Sequence, residues 1–454
     1  MDAINVKDLS VERSGSKIID RISFAVPEGS FTLLSGPSGC GKTTVLWAIQ
    51  GLLAHERGAI VKGKIQVDGL IVKSMDENVV AASGFLMQNV DAQIINQIIE
   101  DEVVFNLENR GEDPGIMREA LNRWRPFIEV PLVARVADLS GGQKQRVLLA
   151  SCLCANHRVI LLDEPFANLD AEGVESLLWA LKALCEQGAS VLCVEHRLEV
   201  ASRIADQLLW MEDGALTEIH GNKAIREYAH EKVSLVDCTL LWNNDCGAAL
   251  LNVSALDARH GDCSVISQLD ILLAQNSTTL LLGRNGCGKT TLMQALCGLA
   301  RIRDVSFNEY RYDGLRIKTS RSYRRLRNMM GYVFQNPSFQ LFMRTVQEEL
   351  SVRNKNEKTI HEIMHAFDIE RLANRHPYSL SQGEKRLVSV ATTVATGAKL
   401  VLLDEPTIGQ DYASLQRMVS TLHAIQQRYG IAYLIATHDT LAVNAFGGKA
   451  INLN

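Results

Sequence analysis

Gly36-Pro37-Ser38-Gly39-Cys40-Gly41-Lys42-Thr43-Thr44 is the stretch on which the reading of the whole chain turns. It follows Phe31-Thr32-Leu33-Leu34, a short apolar run with the look of a buried strand, and leads into Val45-Leu46-Trp47-Ala48-Ile49, which continues as a helix. G-x-x-x-x-G-K-[ST] between a strand and a helix is a phosphate-binding loop. Its glycines let successive N–H groups turn inward on phosphate oxygens, and the helix adds the positive end of its dipole. Lys42 is expected at the β- and γ-phosphates and the hydroxyl of Thr43 at Mg²⁺.

The same text returns as Gly283-Arg284-Asn285-Gly286-Cys287-Gly288-Lys289-Thr290-Thr291, at an offset of 247. Lys289 and Thr290 therefore take the parts of Lys42 and Thr43. Val159-Ile160-Leu161-Leu162-Asp163-Glu164-Pro165 returns as Leu400-Val401-Leu402-Leu403-Asp404-Glu405-Pro406, at an offset of 241. Two sets of motifs in one order mean two copies of a single domain. The expected division is 1–221 for the first domain, 222–250 for a linker matching neither half, and 251–454 for the second. A flexible linker of that length has a reach of about 30 Å, enough for neighbouring domains only.

Each copy sets apolar runs without alternation, such as Ser190-Val191-Leu192-Cys193-Val194 and Ala432-Tyr433-Leu434-Ile435-Ala436, among helical stretches. That pattern points to the α/β class, with a parallel sheet covered on both faces. Asp163 and Asp404 then stand at the carboxyl edge of the sheet, where ligands bind in open α/β folds, and would hold Mg²⁺ through water. Glu164 and Glu405, one residue on, are placed to orient or deprotonate a water molecule. A strand ending in a polar turn is common on its own. Twice, about 120 residues after a phosphate loop, it points to nucleotide hydrolysis.

Composition sets the outer limits. The 454 residues suit two to four domains at roughly 150 each. With 46% hydrophobic and 22% charged residues the chain can bury a core, and a formal charge of −5 argues against coating nucleic acid. No apolar run approaches the ~18–20 residues that span a bilayer, and Met1-Asp2-Ala3-Ile4-Asn5 has no secretory pattern. The ten cysteines include no C-x-x-C pair, so reduced thiols in a cytoplasmic protein are expected. Membrane attachment would be peripheral, on the inner face of the cell membrane, through a partner.

These motifs resemble the nucleotide-binding domains of the ABC ATPase family, and the likeness covers nearly the whole chain. It implies two tandem P-loop domains, each with a mainly parallel core, an antiparallel β part and a small helical subdomain. Leu139-Ser140-Gly141-Gly142-Gln143 is similar to the family's signature loop, as is Leu380-Ser381-Gln382-Gly383-Glu384, with Gln382 where glycine is commoner. The resemblance assigns γ-phosphate contacts to Ser140, Gly142, Ser381 and Gly383, the Q-loop with its metal contact to Gln88 and Gln335, the switch histidines to His196 and His438, and the ends of the D-loops to Asp170 and Asp411. It also implies that each ATP lies between the P-loop of one half and the signature of the other, Lys42 with Ser381 and Lys289 with Ser140, so that fusion makes closure intramolecular and hydrolysis releases the clamp. With both sets of residues present, two hydrolytic sites are expected. The adenine-stacking aromatic of the family is replaced by Arg13 and His260; guanidinium and imidazole can stack on a base, with weaker discrimination between ATP and GTP.

Around the Q-loops the chain reads Gln335-Asn336-Pro337-Ser338-Phe339-Gln340 and Gln88-Asn89-Val90-Asp91-Ala92-Gln93, the latter followed by Glu100-Asp101-Glu102-Val103-Val104-Phe105-Asn106-Leu107-Glu108-Asn109. This is similar to the ATPase subunits of energy-coupling factor (ECF) importers, including the cobalt type. It implies separate transmembrane subunits and uptake of a vitamin, a vitamin precursor or a transition-metal ion. Asp101, Glu102, Glu348 and Glu349 would receive arginines of such a subunit, or else simply begin acidic helices. The alternatives are a ribosome-associated ATPase of the ABC-F type, disfavoured by the short linker and the negative charge, and a fused ATPase of a sugar or peptide importer. His361-Glu362-Ile363-Met364-His365 fits H-E-x-x-H, but lacks a third ligand and a counterpart in the first half, so zinc chemistry is not expected. Sixteen residues follow His438, and no C-terminal regulatory domain is expected.

Overall fold

A computed structural model describes residues 2–13, 15–56, 58–72, 79, 82–212, 214–234, 247–260, 263–284, 286–352, 354, 356–407, 410–437 and 440–453, without the side chains of residues 233, 234, 260, 302, 382, 440 and 441. The chain forms two compact units, residues 1–235 and 236–454.

In the first unit, strands β1 (Asp2–Arg13), β2 (Ser16–Pro27), β4 (Ala59–Val67) and β5 (Leu70–Ile71) make an antiparallel sheet in the order β2-β1-β4-β5. The second sheet contains β3 (Phe31–Ser35), β6 (Ser83–Leu86), β7 (Val159–Asp163), β8 (Ser190–Val194), β9 (Gln207–Glu212) and β10 (Ala215–His220), ordered β10-β9-β3-β8-β7-β6. All neighbours in it run parallel except the β9–β10 hairpin. Every residue of β3, β7 and β8 is buried, which is why these strands read as unbroken apolar runs. Leu161, Leu192 and Val194 of this sheet share a core with Ile4, Val6 and Leu9 of the antiparallel sheet and with Val45 and Ile49 of the helix Lys42–Ile49.

The second unit repeats this plan. Strands β11 (Ala249–His260), β12 (Cys263–Ala274), β15 (Glu309–Tyr312) and β16 (Leu315–Arg316), with β14 (Val305–Ser306) beside β11, form its antiparallel sheet. Strands β13 (Thr278–Leu282), β17 (Gly331–Val333), β18 (Leu400–Asp404), β19 (Ala432–Ala436) and β20 (Lys449–Asn452) form an all-parallel sheet ordered β17-β18-β19-β13-β20. Leu400 and Leu402 point to a core shared with the antiparallel sheet and the helix Lys289–Leu296. Val401 and Leu403 point the other way, to a core shared with the helices Glu357–Ala366, Gln382–Ala395 and Tyr412–Tyr429. Alternation along one buried strand thus feeds two apolar layers, as the period of two requires.

Residues 222–234, expected within the linker, are instead a helix (Asn222–Ser234) docked on the first unit. Its amphipathic stripe is short, with Ile225 and Ala229 buried. Polar contacts do the rest: the Asn222 amide donates to the carbonyls of Ser202, Arg203 and Ala205, and the Lys232 ammonium lies 4.6 Å from the ring centre of Trp210.

Candidate nucleotide-binding sites

Strand order brings the motif residues together. The carboxyl ends of four adjacent strands, β3, β8, β7 and β6, carry respectively the phosphate loop, His196, Asp163-Glu164 and Gln88. Register sets them level, with Leu34 and Asp163 both opposite Val194, and Leu86 opposite Leu162. The second unit aligns Leu281 and Asp404 with Ala436, and Val333 with Leu403.

The two loops are shaped by contact as much as by glycine flexibility. A Cβ on Gly36 would stand 2.0 Å from the Met211 carbonyl oxygen, and one on Gly288 2.4 Å from Val265 Cγ1. Gly41 (φ 104) and Gly288 (φ 100) cap the following helices in the left-handed region. Lys42 Nζ donates to the carbonyls of Gly36 (2.9 Å) and Pro37 (2.8 Å). Lys289 Nζ does likewise to Gly283 (2.7 Å) and Arg284 (3.2 Å), with Glu405 Oε1 at 3.6 Å. Asn285 and His438 lie outside the described residues.

Four carboxylates lie at the strand ends, all 7% exposed or less. Burial, aided by the neighbouring Glu164, pushes Asp163 up to about 7. Neither of its oxygens meets a hydrogen-bond donor at bonding distance among the described residues, although Thr43 lies near enough to favour the carboxylate. Burial also raises Asp404, moderated by Thr290 Oγ1 (2.8 Å), the counterpart of Thr43, and by the Tyr332 hydroxyl (2.9 Å), which the first unit does not match, both to Oδ2. Burial works against the charge on Glu164 as well, but hydrogen bonds from His196 (Nε2 to Oε1, 3.2 Å) and Gln88, with the charge of Lys42, outweigh it and hold this carboxyl below its ordinary value. Glu164 is thus an ionised acceptor at the mouth of the phosphate loop.

A family sequence model described as ABC transporter matches residues 19–167 and 266–408, one segment over each phosphate loop and its carboxylates. The chain belongs to the ABC transporter family. It is an ATP-binding protein of that family with two ABC domains, and an ATP hydrolase. Among its relatives, a putative ABC transporter ATP-binding protein of Treponema denticola is 30% identical, over 96% of this chain and 92% of that one. The putative HMP/thiamine import ATP-binding protein YkoD of Bacillus subtilis is 29% identical, over 98% and 88%. The solved structure of RNase-L Inhibitor superimposes with a TM-score of 0.64 at 20% identity, over 97% of this chain and 86% of that one, a likeness of fold alone.

The two stretches expected as signature loops are helix starts. Ser140 and Ser381 are N-caps of the helices Gly141–Cys154 and Gln382–Ala395, and each closes a capping box with the residue three positions on, Gln143 or Glu384. The sequence carried that signal as S-x-x-[EQ], and it was missed there. Gly142 and Gly383 lie in the first turn. Asp170 and Asp411 are also N-caps, accepting from the N–H groups of Gly173 and Ser414. Gln335 is exposed, as is Gln88.

Arg13 has partners of its own, and the expectation for the acidic helix starts changes. Arg13 is engaged within the fold: its guanidinium donates to Glu56 Oε1 (2.9 and 2.7 Å) and lies 5.3 Å from the Trp47 ring centre. The side chain of His260 lies outside the described residues. Glu102 and Glu349, each 3% exposed, are not available to a partner's arginines. Glu102 Oε2 accepts the N–H groups of Ile95 (3.1 Å) and Asn96 (2.6 Å), and Glu349 Oε1 those of Phe342 and Met343. Asp101 and Glu348 stay exposed. In the H-E-x-x-H stretch, Glu362 pairs with Arg428 at 2.7 Å, and His365 faces Glu370 at 3.3 Å.

Proposed function

We propose that this ABC ATPase powers a membrane importer of the ECF type, taking up a vitamin, a vitamin precursor or a transition-metal ion through separate transmembrane subunits. The observation that carries the reading is an apolar rim beside the second Q-loop. Phe339 (65% exposed) and Phe342 (70%) stand in water. Phe342 also lines, with Met343, Phe334, Tyr332 and Val352, a groove of about 290 Å³. Large exposed aromatics on a loop mark a contact surface, and among the described residues no helix is long and apolar enough to cross a membrane. A membrane subunit's cytoplasmic segment suits this groove, with its cations on Glu348; Asp101 is the corresponding exposed carboxylate of the first unit. The name of the Bacillus relative, putative HMP/thiamine import ATP-binding protein, supports the same reading.

In the proposed chemistry, loop amides with Lys42 or Lys289 bind the polyphosphate of ATP. Mg²⁺ fits the residues beside it: the buried Asp163 oxygens, and Asp404 Oδ1, lack a hydrogen-bond donor among the described residues, as oxygens facing a cation would. Thr43, Gln88 and Asp163, or Thr290, Gln335 and Asp404, would hold it directly or through water. The ion supplies charge neutralisation on the β- and γ-phosphates. Glu164 and Glu405 accept the proton of the attacking water, with His196 beside Glu164 and the matching role at the second site falling to His438.

Purification of the tagged chain from membranes of its own cells tests the reading. The expected result is co-purification of integral membrane proteins, lost on Phe342→Asp or on charge reversal at Asp101 and Glu348. Co-sedimentation with ribosomes, without membrane partners, would overturn it in favour of a ribosome-associated ATPase.

A further inference from the structure

The two strand-end aspartates are held differently, and among the described residues only Asp404 meets a tyrosine hydroxyl. Tyr332 on β17 is level with Leu402, as Phe85 on β6 is level with Leu161, so the two rings occupy equivalent places beside the carboxylate strands. Only the tyrosine carries a hydroxyl, and it donates to Asp404 Oδ2 at 2.9 Å. Thr290 Oγ1 donates to the same oxygen at 2.8 Å. The Tyr332 ring packs edge-on against Phe334 with centroids 4.8 Å apart, so the hydroxyl is aimed by packing and gives up little freedom on bonding. Asp404 Oδ1 has no hydrogen-bond partner among the described residues. At Asp163, on the strand beside Phe85, both oxygens lack one among the described residues.

We propose that Tyr332 is a positioning residue for the second ATP site: it fixes Asp404 through Oδ2 so that Oδ1 faces the metal, and the two sites of one chain therefore differ in Mg²⁺ requirement. This rests on the reading that each P-loop binds Mg²⁺-nucleotide. Two donors on one oxygen confine the carboxylate to one rotamer, and a carboxylate already in place loses less entropy when a cation or its water arrives. Asp163 has Thr43 nearby but no donor at bonding distance among the described residues to confine it. The sequence alone shows a Tyr/Phe difference three residues before each Q-loop glutamine; the bond gives that difference a consequence.

The test uses the full chain carrying Lys42→Ala, which confines binding to the second P-loop. A fluorescent ATP analogue is titrated with Mg²⁺, and its affinity is also measured in EDTA. Adding Tyr332→Phe is expected to raise the half-saturating Mg²⁺ concentration roughly tenfold, the usual cost of losing an outer-shell partner, with metal-free affinity unchanged. In a Lys289→Ala chain, Phe85→Tyr is expected to lower the half-saturating concentration. An unmoved Mg²⁺ titration in Tyr332→Phe, with or without a fall in melting temperature, would mean the ring only packs and would overturn the proposal. Failure of both backgrounds to bind the analogue, with Mg²⁺ or without, would overturn the P-loop reading beneath it.

Discussion

Glu164 and Glu405 have left-handed backbones, at φ 53 and 49, an unfavourable conformation for a residue with a Cβ, costing of order 1 kcal/mol. Each persists because its N–H is spent on the neighbouring strand, bonding the Val194 carbonyl at 2.9 Å or that of Ala436 at 3.0 Å. The turn folds the carboxylate back over the sheet edge. Glu164→Gln and Glu405→Gln keep shape and burial while removing the base. Each is expected to lower turnover by roughly 10²–10⁴-fold at its own site, with ATP binding retained in an equilibrium binding assay; full turnover in one variant would show that its site does not hydrolyse. Glu195 offers a pH prediction. Burial and the nearby Glu164 raise its carboxyl above the ordinary value, against N–H donation from Arg197. The folded state thus binds its proton at pH values where the unfolded chain, with a pKa of about 4.3, has released it. Stability from this residue is present below that pKa and declines as pH rises through the folded value. Glu195→Gln, which keeps an acceptor for the N–H groups of His196 (2.8 Å) and Arg197 (3.1 Å), is expected to raise the melting temperature at pH 7. The gain should shrink towards pH 4. The second unit already carries the neutral Thr437 in this place, fully buried.

At the scale of elements, Glu102 shows how an acidic helix start can be read wrongly. Ile99–Asn109 opens with Glu100, Asp101 and Glu102, and charge alone favours an exposed dipole partner or a docking patch. The structure divides the three: Asp101 faces water, while Glu102 is buried and closes the loop at residues 95–96. No periodicity in the sequence separates these roles, because the loop that needs the acceptor takes its course from tertiary packing. Glu102→Ala leaves two N–H groups without their acceptor and is expected to cost about 1–3 kcal/mol. Urea denaturation measures the loss, and hydrogen exchange should rise at Ile95 and Asn96. Asp101→Ala should change stability by under about 0.5 kcal/mol. The parallel cores were legible for the opposite reason. A strand buried on both faces leaves an apolar run that no solvent-facing residue interrupts, and glycines with no room for a Cβ, such as Gly36, cannot drift. The helix Asn222–Ser234 was illegible because its anchoring rests on Asn222 and Lys232, residues that in sequence suggest a linker.

For the whole molecule, the decisive observation was also the simplest: the text is written twice, and each copy closes its own sheets and cores. What repetition hid was inequality. Matching offsets make Asp163 and Asp404 look interchangeable, and only the bonds around them tell them apart. Independent cores have a direct consequence. Residues 1–235 and 236–454, produced as separate chains, are each expected to melt cooperatively and to bind one ATP, since each contains a complete phosphate loop and its carboxylates. Hydrolysis should behave otherwise if, as the sequence resemblance implies, each ATP lies between the P-loop of one half and the signature of the other. Covalent linkage replaces a bimolecular encounter with a fixed effective concentration in the millimolar range. Micromolar mixtures of the halves should therefore turn over ATP at least about tenfold more slowly than the intact chain, with a rate that climbs with protein concentration. A concentration-independent rate in either isolated half, equal to that of the intact chain, would mean that each unit hydrolyses ATP alone.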